Sequence, residues 1–210
     1  MSLTDLAPVV DALLRPWSRR LAGHGLSAGM VTVAGTAVCL GLAATVLVSK
    51  APWPTMWLLI VALAARLAAL RLQALLVQEQ GRGSLTGRLL DVVCRPLSEV
   101  ALLWPLALVK GIDARLVTLC CLLTLLTEFA GLAVTVIGAE RRVDGPMDGC
   151  LRAVALAGVC LLLGLGVGPG WWTRVWFQVL PLLLGWTIFR RLREGLKQVV
   201  VVEPVPGAVS

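Results

Sequence analysis

Charge is scarce in this sequence. Asp, Glu, Lys and Arg make up 15% of the 210 residues, against about 25% in ordinary soluble domains. Hydrophobic residues supply 58%, and the mean hydropathy is +0.88. A soluble chain of this length has no way to bury so much apolar surface. A soluble enzyme, a disordered chain and a secreted disulfide scaffold are therefore excluded. His24 is the single histidine, which rules out a His-rich metal site and argues against a Ser-His triad. No C-x-x-C occurs among the six cysteines, Cys39, Cys94, Cys120, Cys121, Cys150 and Cys160. Five of them lie inside apolar runs and read as small packing residues, not as disulfide or zinc ligands. The first apolar run starts near Gly29, after a mixed segment and without a small-residue cleavage site, so no signal peptide is expected. The net charge of +7 lacks the basic stripe with interleaved aromatics that a nucleic-acid binder carries.

What remains is a polytopic membrane protein: all-α, with six transmembrane helices and an N-terminal amphipathic helix at the interface. A span needs about 20 apolar residues. Stretches 29–49, 53–76, 86–109, 112–138, 151–169 and 171–189 meet that length, with Ala51-Pro52 and Gly168-Pro169-Gly170 as turns. Residues 1–198 read as one membrane domain, with 3–22 as the interfacial helix and 199–210 as a disordered tail. With the N-terminus in the cytoplasm, twelve cations fall on the cytoplasmic side, among them Arg15, Arg82, Arg88, Arg190, Arg191 and Lys197. Four fall outside: Lys50, Lys110, Arg115 and Arg174. That bias places both termini in the cytoplasm and the protein in the inner membrane. Trp53, Trp57, Trp104, Trp171, Trp172 and Trp176 gather at the outer ends, as an aromatic belt does. Leu6, Val9, Val10, Leu13, Leu14 and Trp17 recur at helical spacing before Arg19 and Arg20, the pattern of a helix lying on a membrane surface.

Ionisable residues inside spans cost at least about 2.5 kcal/mol each and so have a partner or a task. Arg66 and Arg71 lie in the second span, Asp91, Arg95 and Glu99 in the third, and Glu128 in the fourth. The four-residue spacing of Asp91, Arg95 and Glu99 puts them on one helix face. Arg66 and Glu99 have similar depth and are expected to pair. Glu128 has no evident partner in the sequence.

Residues 80–99 read Q-G-R-G-S-L-T-G-R-L-L-D-V-V-C-R-P-L-S-E. The segment resembles the second half of the CDP-alcohol phosphatidyltransferase signature, D-x2-D-G-x2-A-R-x8-G-x3-D-x3-D. Gly87 and Asp91 fit its G-x3-D, and Ser84 fits a common choice three residues earlier. The stretch Leu26 to Thr32 resembles the family's entry to its first span. Residues 140–147, E-R-R-V-D-G-P-M, followed by Arg152-Ala153, resemble a bacterial branch's R-R-Y-D-G-P-M-G-K-x-D-R-A.

The resemblance implies six spans, a dimer, and transfer of a phosphatidyl-type group from a CDP-linked lipid to an alcohol with release of CMP. In the family, the first three aspartates hold two divalent cations and the fourth acts as base. Registered on Asp91, the first aspartate falls on Leu70, the second on Gln73 and the fourth on Arg95. The motif glycine falls on Ala74, and the Ala-Arg pair on Val77 and Gln78. Arg95 cannot serve as a base, and Pro96 beside it is expected to kink the helix. Gln73, Gln78, Gly87, Asp91 and Arg95 thus read as vestigial motif positions, with Asp91 the retained metal ligand. No cofactor is expected, and Mg²⁺ or Mn²⁺ enters only if the chain is an enzyme.

Thr32, Ser84, Arg95, Arg141, Arg142 and Arg152 are the candidates for binding a lipid phosphate. The leading expectation is a non-catalytic partner or regulator of an active relative, as a homodimer or heterodimer among membrane lipids. The alternative is an active phosphotransferase using a CDP-linked lipid, with a site rebuilt around Asp91, Glu79 and Glu99. A transporter or lipid-binding module is a third reading.

Overall fold

The computed structural model describes residues 3–80, 85–136, 138 and 149–202. Among these residues seven α-helices follow one another: α1 (Leu3–Gly23), α2 (Ala28–Val48), α3 (Met56–Gln80), α4 (Leu85–Leu103), α5 (Ala114–Val136), α6 (Gly149–Gly164) and α7 (Trp171–Val202). Short 3₁₀ turns, Trp53–Thr55 and Trp104–Leu108, precede α3 and follow α4. No strand occurs among the described residues.

Among the described residues, three segments are long and apolar enough to cross a bilayer: Ala28–Val48, Trp53–Gln80 and Ala114–Val136. The chain is a multi-pass membrane protein. Helices α4, α6 and α7 cover the other three expected spans with different limits. The third stretch is not one helix to 109, because α4 gives way at Trp104 to a 3₁₀ turn with Pro105 near its start. The fifth ends at Gly164, after 16 helical residues. Helix α7 runs to Val202, four residues into the stretch read as a disordered tail, and 203–210 lie outside the described residues. Helix α4 continues through Pro96.

Local chemistry sets the boundaries. Gly25 adopts a left-handed φ of 73°, which L-residues avoid, and lets the Gly25 and Leu26 amides close the end of α1 onto the carbonyls of Ala22 and Leu21. Ser27 then caps α2, its hydroxyl accepting from the Met30 amide at 3.3 Å.

Helix α3 is central. It packs on α1, α2 and α6, while α2 also packs on α4, and α5 on α4 and α7. The apolar core runs through Cys39, Leu59, Leu102, Cys120, Cys160 and Phe177. All six cysteines are free thiols; five are buried, as packing residues should be, and Cys150 is exposed.

Small residues bring the helices close. A Cβ on Gly35 of α2 would stand 2.5 Å from the Ala69 Cβ of α3, and one on Gly29 would stand 3.2 Å from Gly87 Cα of α4. Gly195 of α7 lies against Val134 of α5 in the same way. Such contacts are how helices associate in lipid, where apolar burial between them gains little. Helix α1 is held to α3 by Ser18, fully buried, whose hydroxyl lies 2.8 Å from Glu79 Oε1.

Candidate functional site: a charged cleft and a buried ion-pair chain

The close approach of α2 to both α3 and α4 leaves a cleft among the three helices. Thr32, Gly35 and Thr36 of α2 line it, with Arg66, Ala69, Leu70 and Gln73 of α3 and Asp91, Arg95 and Ser98 of α4. Its empty volume is about 270 Å³. Leu70, Gln73, Asp91 and Arg95 are the positions on which the sequence register placed the four signature aspartates. Helix geometry explains their convergence. Residues 70 and 73 share a face of α3, and 91 and 95 share a face of α4.

Within the cleft Asp91 is buried, and the Arg95 Nη2 lies 3.1 and 3.0 Å from its two carboxylate oxygens. The Arg95 Nε is buried without a hydrogen-bond partner. Ser98 accepts from Arg66 Nε at 2.9 Å and donates to the Arg95 carbonyl at 2.9 Å. Thr32 and Thr36 are buried and donate to the carbonyls one turn earlier, at 3.1 and 2.9 Å.

The expected pairing of Arg66 with Glu99 forms, through Nη2 and Oε1. It is the first link of a longer chain. Arg152 Nη2 of α6 stands 2.9 Å from Glu99 Oε2 and 2.9 Å from Glu128 Oε1 of α5. Arg191 Nη1 of α7 stands 3.6 Å from the same Glu128 oxygen and donates to the Thr127 carbonyl at 2.6 Å. Arg66, Glu99, Arg152, Glu128 and Arg191 are all at most 8% exposed, so this is a buried chain tying α3, α4, α6, α5 and α7. Arg66, Glu99 and Arg152 of this chain, with Leu63, Leu102, Leu156, Leu180 and Trp176, line a cavity that Thr124 also borders, its buried hydroxyl without a hydrogen-bond partner.

The candidate residues from the sequence are thus divided. Thr32, Gln73, Asp91 and Arg95 share the cleft. Gly87 lies at the α2–α4 contact, and Gln78 is exposed near the end of α3. Arg152 belongs to the ion-pair chain. Ser84, Arg82, Arg141 and Arg142 lie outside the described residues, as does the side chain of Arg88. The sequence reading found no partner for Glu128; the structure supplies Arg152 and Arg191. Arg191 was read only as a cytoplasmic cation. Phe177, Leu180, Leu184, Thr187 and Arg191 are all buried and recur at three- and four-residue spacing, and that stripe was the signal for it.

No protein-family model matches the chain. The inner membrane protein YnbA of Escherichia coli K12 is 31% identical over 201 residues, covering 93% of this chain and 97% of the relative. Two crystal structures of the phosphatidylinositol phosphate synthase PgsA1 of Mycobacterium tuberculosis share the fold. The one with CDP-DAG bound superposes with a TM-score of 0.67 at 20% identity, covering 93% of this chain and 96% of that one. The one in complex with manganese and citrate gives 0.68 at 21% identity, covering 93% and 91%. The chain belongs to one family with YnbA, and its helices carry the CDP-alcohol phosphatidyltransferase fold that the motif resemblance anticipated.

Proposed function

We propose that the protein is a catalytically degenerate relative of the CDP-alcohol phosphatidyltransferases, acting in membrane phospholipid metabolism as a non-catalytic partner or regulator of an active one. The lining of the cleft carries this reading. Two hard cations need several oxygen ligands. Where the signature sets four carboxylates, this cleft presents a hydrocarbon, a carboxamide, one carboxylate and a guanidinium bound to it. The carboxylates that a rebuilt site would recruit are engaged elsewhere: Glu79 by Ser18, and Glu99 by Arg66 and Arg152. Among the described residues no group of three or more His, Cys, Asp or Glu side chains is placed to hold a metal. The residues present do not fit a pair of divalent cations.

Six membrane crossings by α2 to α7, with both termini in the cytoplasm, complete the proposal. Helix α1 lies in the inner interface, where its exposed Leu13 and Trp17 enter lipid and Arg19 and Arg20 meet headgroups. The relative's description as an inner membrane protein supports that membrane for this chain. The protein works as a homodimer or as a heterodimer with an active relative. Thr32 and Arg95 contact the phosphate of a bound lipid from within the cleft, with Ser84, Arg141, Arg142 and Arg152 as further candidates.

The test is a Mn²⁺ titration of the protein in lipid nanodiscs, with and without a CDP-linked lipid, beside Asp91→Asn. The expected result is no saturable Mn²⁺ binding that depends on Asp91. Saturable binding lost in Asp91→Asn, with release of CMP, would establish the active phosphotransferase instead.

A further inference from the structure

We infer that the cavity beyond the Arg66–Glu99 pair binds the hydroxyl end of a long-chain primary alcohol, a neutral amphiphile drawn from the bilayer. This site is separate from the cleft, and the inference does not rest on the proposed function.

Cleft and cavity lie end to end along α3 and α4. The cleft is lined by Ala69, Leu70 and Gln73, which follow Arg66, and by Asp91 and Arg95, which precede Glu99. The cavity continues the other way, past Leu63 one turn before Arg66 and past Leu102 and Leu103 one turn after Glu99. Arg66 borders both, and its pair with Glu99 stands between them. The cavity has an empty volume of about 390 Å³, within the range of small-ligand sites, about 300–1,000 Å³. Of the described residues that line it, Trp176 alone is half-buried and reaches the surface, and the others are buried. Arg66 lies near the middle of Trp53–Gln80, a segment long enough to cross the bilayer, so a ligand that enters past Trp176 comes from hydrocarbon.

The Thr124 hydroxyl names the ligand's head. Thr118 and Thr127, on the same helix, donate to the carbonyl one turn back, at 2.9 and 2.6 Å. Thr124 is 1% exposed, and its hydroxyl has no such bond and no other partner. A buried polar atom left unpaired is costly, and its regular remedy is a ligand or a water in the adjoining space. A single hydroxyl fits it, because each group can donate to the other. A charged head does not fit. The charges at the floor of the cavity, Arg66, Glu99 and Arg152, already hold one another, and a buried ion pair is expensive to break. The walls name the ligand's body. Leu63, Leu102, Leu156 and Leu180 with the Trp176 ring give hydrocarbon surface, where water lacks the two to four polar partners it needs.

The experiment uses the full chain in lipid nanodiscs and n-decanol carrying a photoreactive diazirine on its chain. Crosslinked sites are mapped by mass spectrometry of proteolytic fragments. Saturable labelling is expected on the cavity-lining parts of α5, α6 and α7, displaced by unlabelled n-decanol but not by n-decane or decanoate. Thr124→Val keeps the shape and removes the hydroxyl, so it should weaken n-decanol binding about threefold to tenfold. The same variant without ligand should melt no lower than the wild type, since it loses a buried unpaired group, whereas a hydroxyl needed only for the fold would lower the melting temperature. Thr124→Ser should bind as the wild type does. If either variant fails to fold, the competition series on the wild type decides alone. Labelling that avoids these helices or does not saturate would mean that the cavity holds water only, and would overturn the inference. Equal displacement by n-decane would reduce the site to a hydrophobic hole, and equal displacement by decanoate would show that a charged head is accepted; either overturns it. None of these readouts involves the cleft, so the Mn²⁺ titration tests the proposed function separately.

Discussion

Arg152 meets two carboxylates from one nitrogen, at 2.9 Å each, and is 8% exposed. Removing it takes from Glu99 and Glu128 the cation that the two carboxylates share. Breaking a buried pair by deleting one partner costs about 3–5 kcal/mol. Arg152→Ala is expected to lower the thermal unfolding midpoint in detergent sharply, and Arg152→Lys to lower it less, because a compact ammonium holds charge but not the fork geometry. The cleft supports a prediction of opposite sign. If Leu70, Gln73 and Arg95 stand where ligating and basic carboxylates belong, the combined variant Leu70→Asp, Gln73→Asp, Arg95→Asp restores a carboxylate array beside Asp91. Calorimetry should detect saturable Mn²⁺ binding in that variant and none in Leu70→Asn, Gln73→Asn, Arg95→Asn.

At the scale of elements, the close helix contacts set the cleft's width. Gly35 has no room for a larger side chain, since even a Cβ would sit 2.5 Å from that of Ala69. Overpacking of this kind costs about 1–3 kcal/mol. Gly35→Val should therefore separate α2 from α3, lower thermal stability and weaken lipid binding in the cleft. Gly41→Val, on the same helix with nothing within 4 Å of its Cβ position, is the control and should leave both unchanged. Much of this element scale could be read in advance. The Asp91, Arg95, Glu99 stripe follows from four-residue spacing, and depth alone matched Arg66 to Glu99. The partners of Glu128 could not be read. They sit on α6 and α7, 24 and 63 residues away, and no local pattern records a contact between helices. Arg191 was hidden by its address, since a cation at the end of an apolar run reads first as a topology signal. The helix limits depart from the expected span limits for another reason. Hydropathy stays high across Trp104–Leu108, but Pro105 has no amide to continue the α-helix.

For the whole molecule, the arrangement of helices makes one sidedness prediction. Cys150, at the start of α6, is exposed while the other five thiols are buried. On the proposed topology it faces the cytoplasm. A membrane-impermeant maleimide should label the protein in inverted vesicles, fail to do so in intact spheroplasts, and lose its target in Cys150→Ser. Labelling from the outside would invert the orientation derived from the cation bias.

The ion-pair chain also has a meaning for how the protein is made. On the six crossings proposed above, each of its members would cost about 2.5–3.5 kcal/mol if its helix entered lipid alone. The links run largely in chain order. Arg66 on α3 meets Glu99 on the next helix, and Glu128 on α5 meets Arg152 on the next. Helices emerging in sequence can therefore leave the insertion machinery as hairpins with their charges already matched. Arg152 then joins the two hairpins through Glu99, and Arg191 closes the set as the last helix arrives. The order of synthesis is written into the order of the pairs, and a ribosome that stalls between α3 and α4 leaves Arg66 waiting in lipid for its acid.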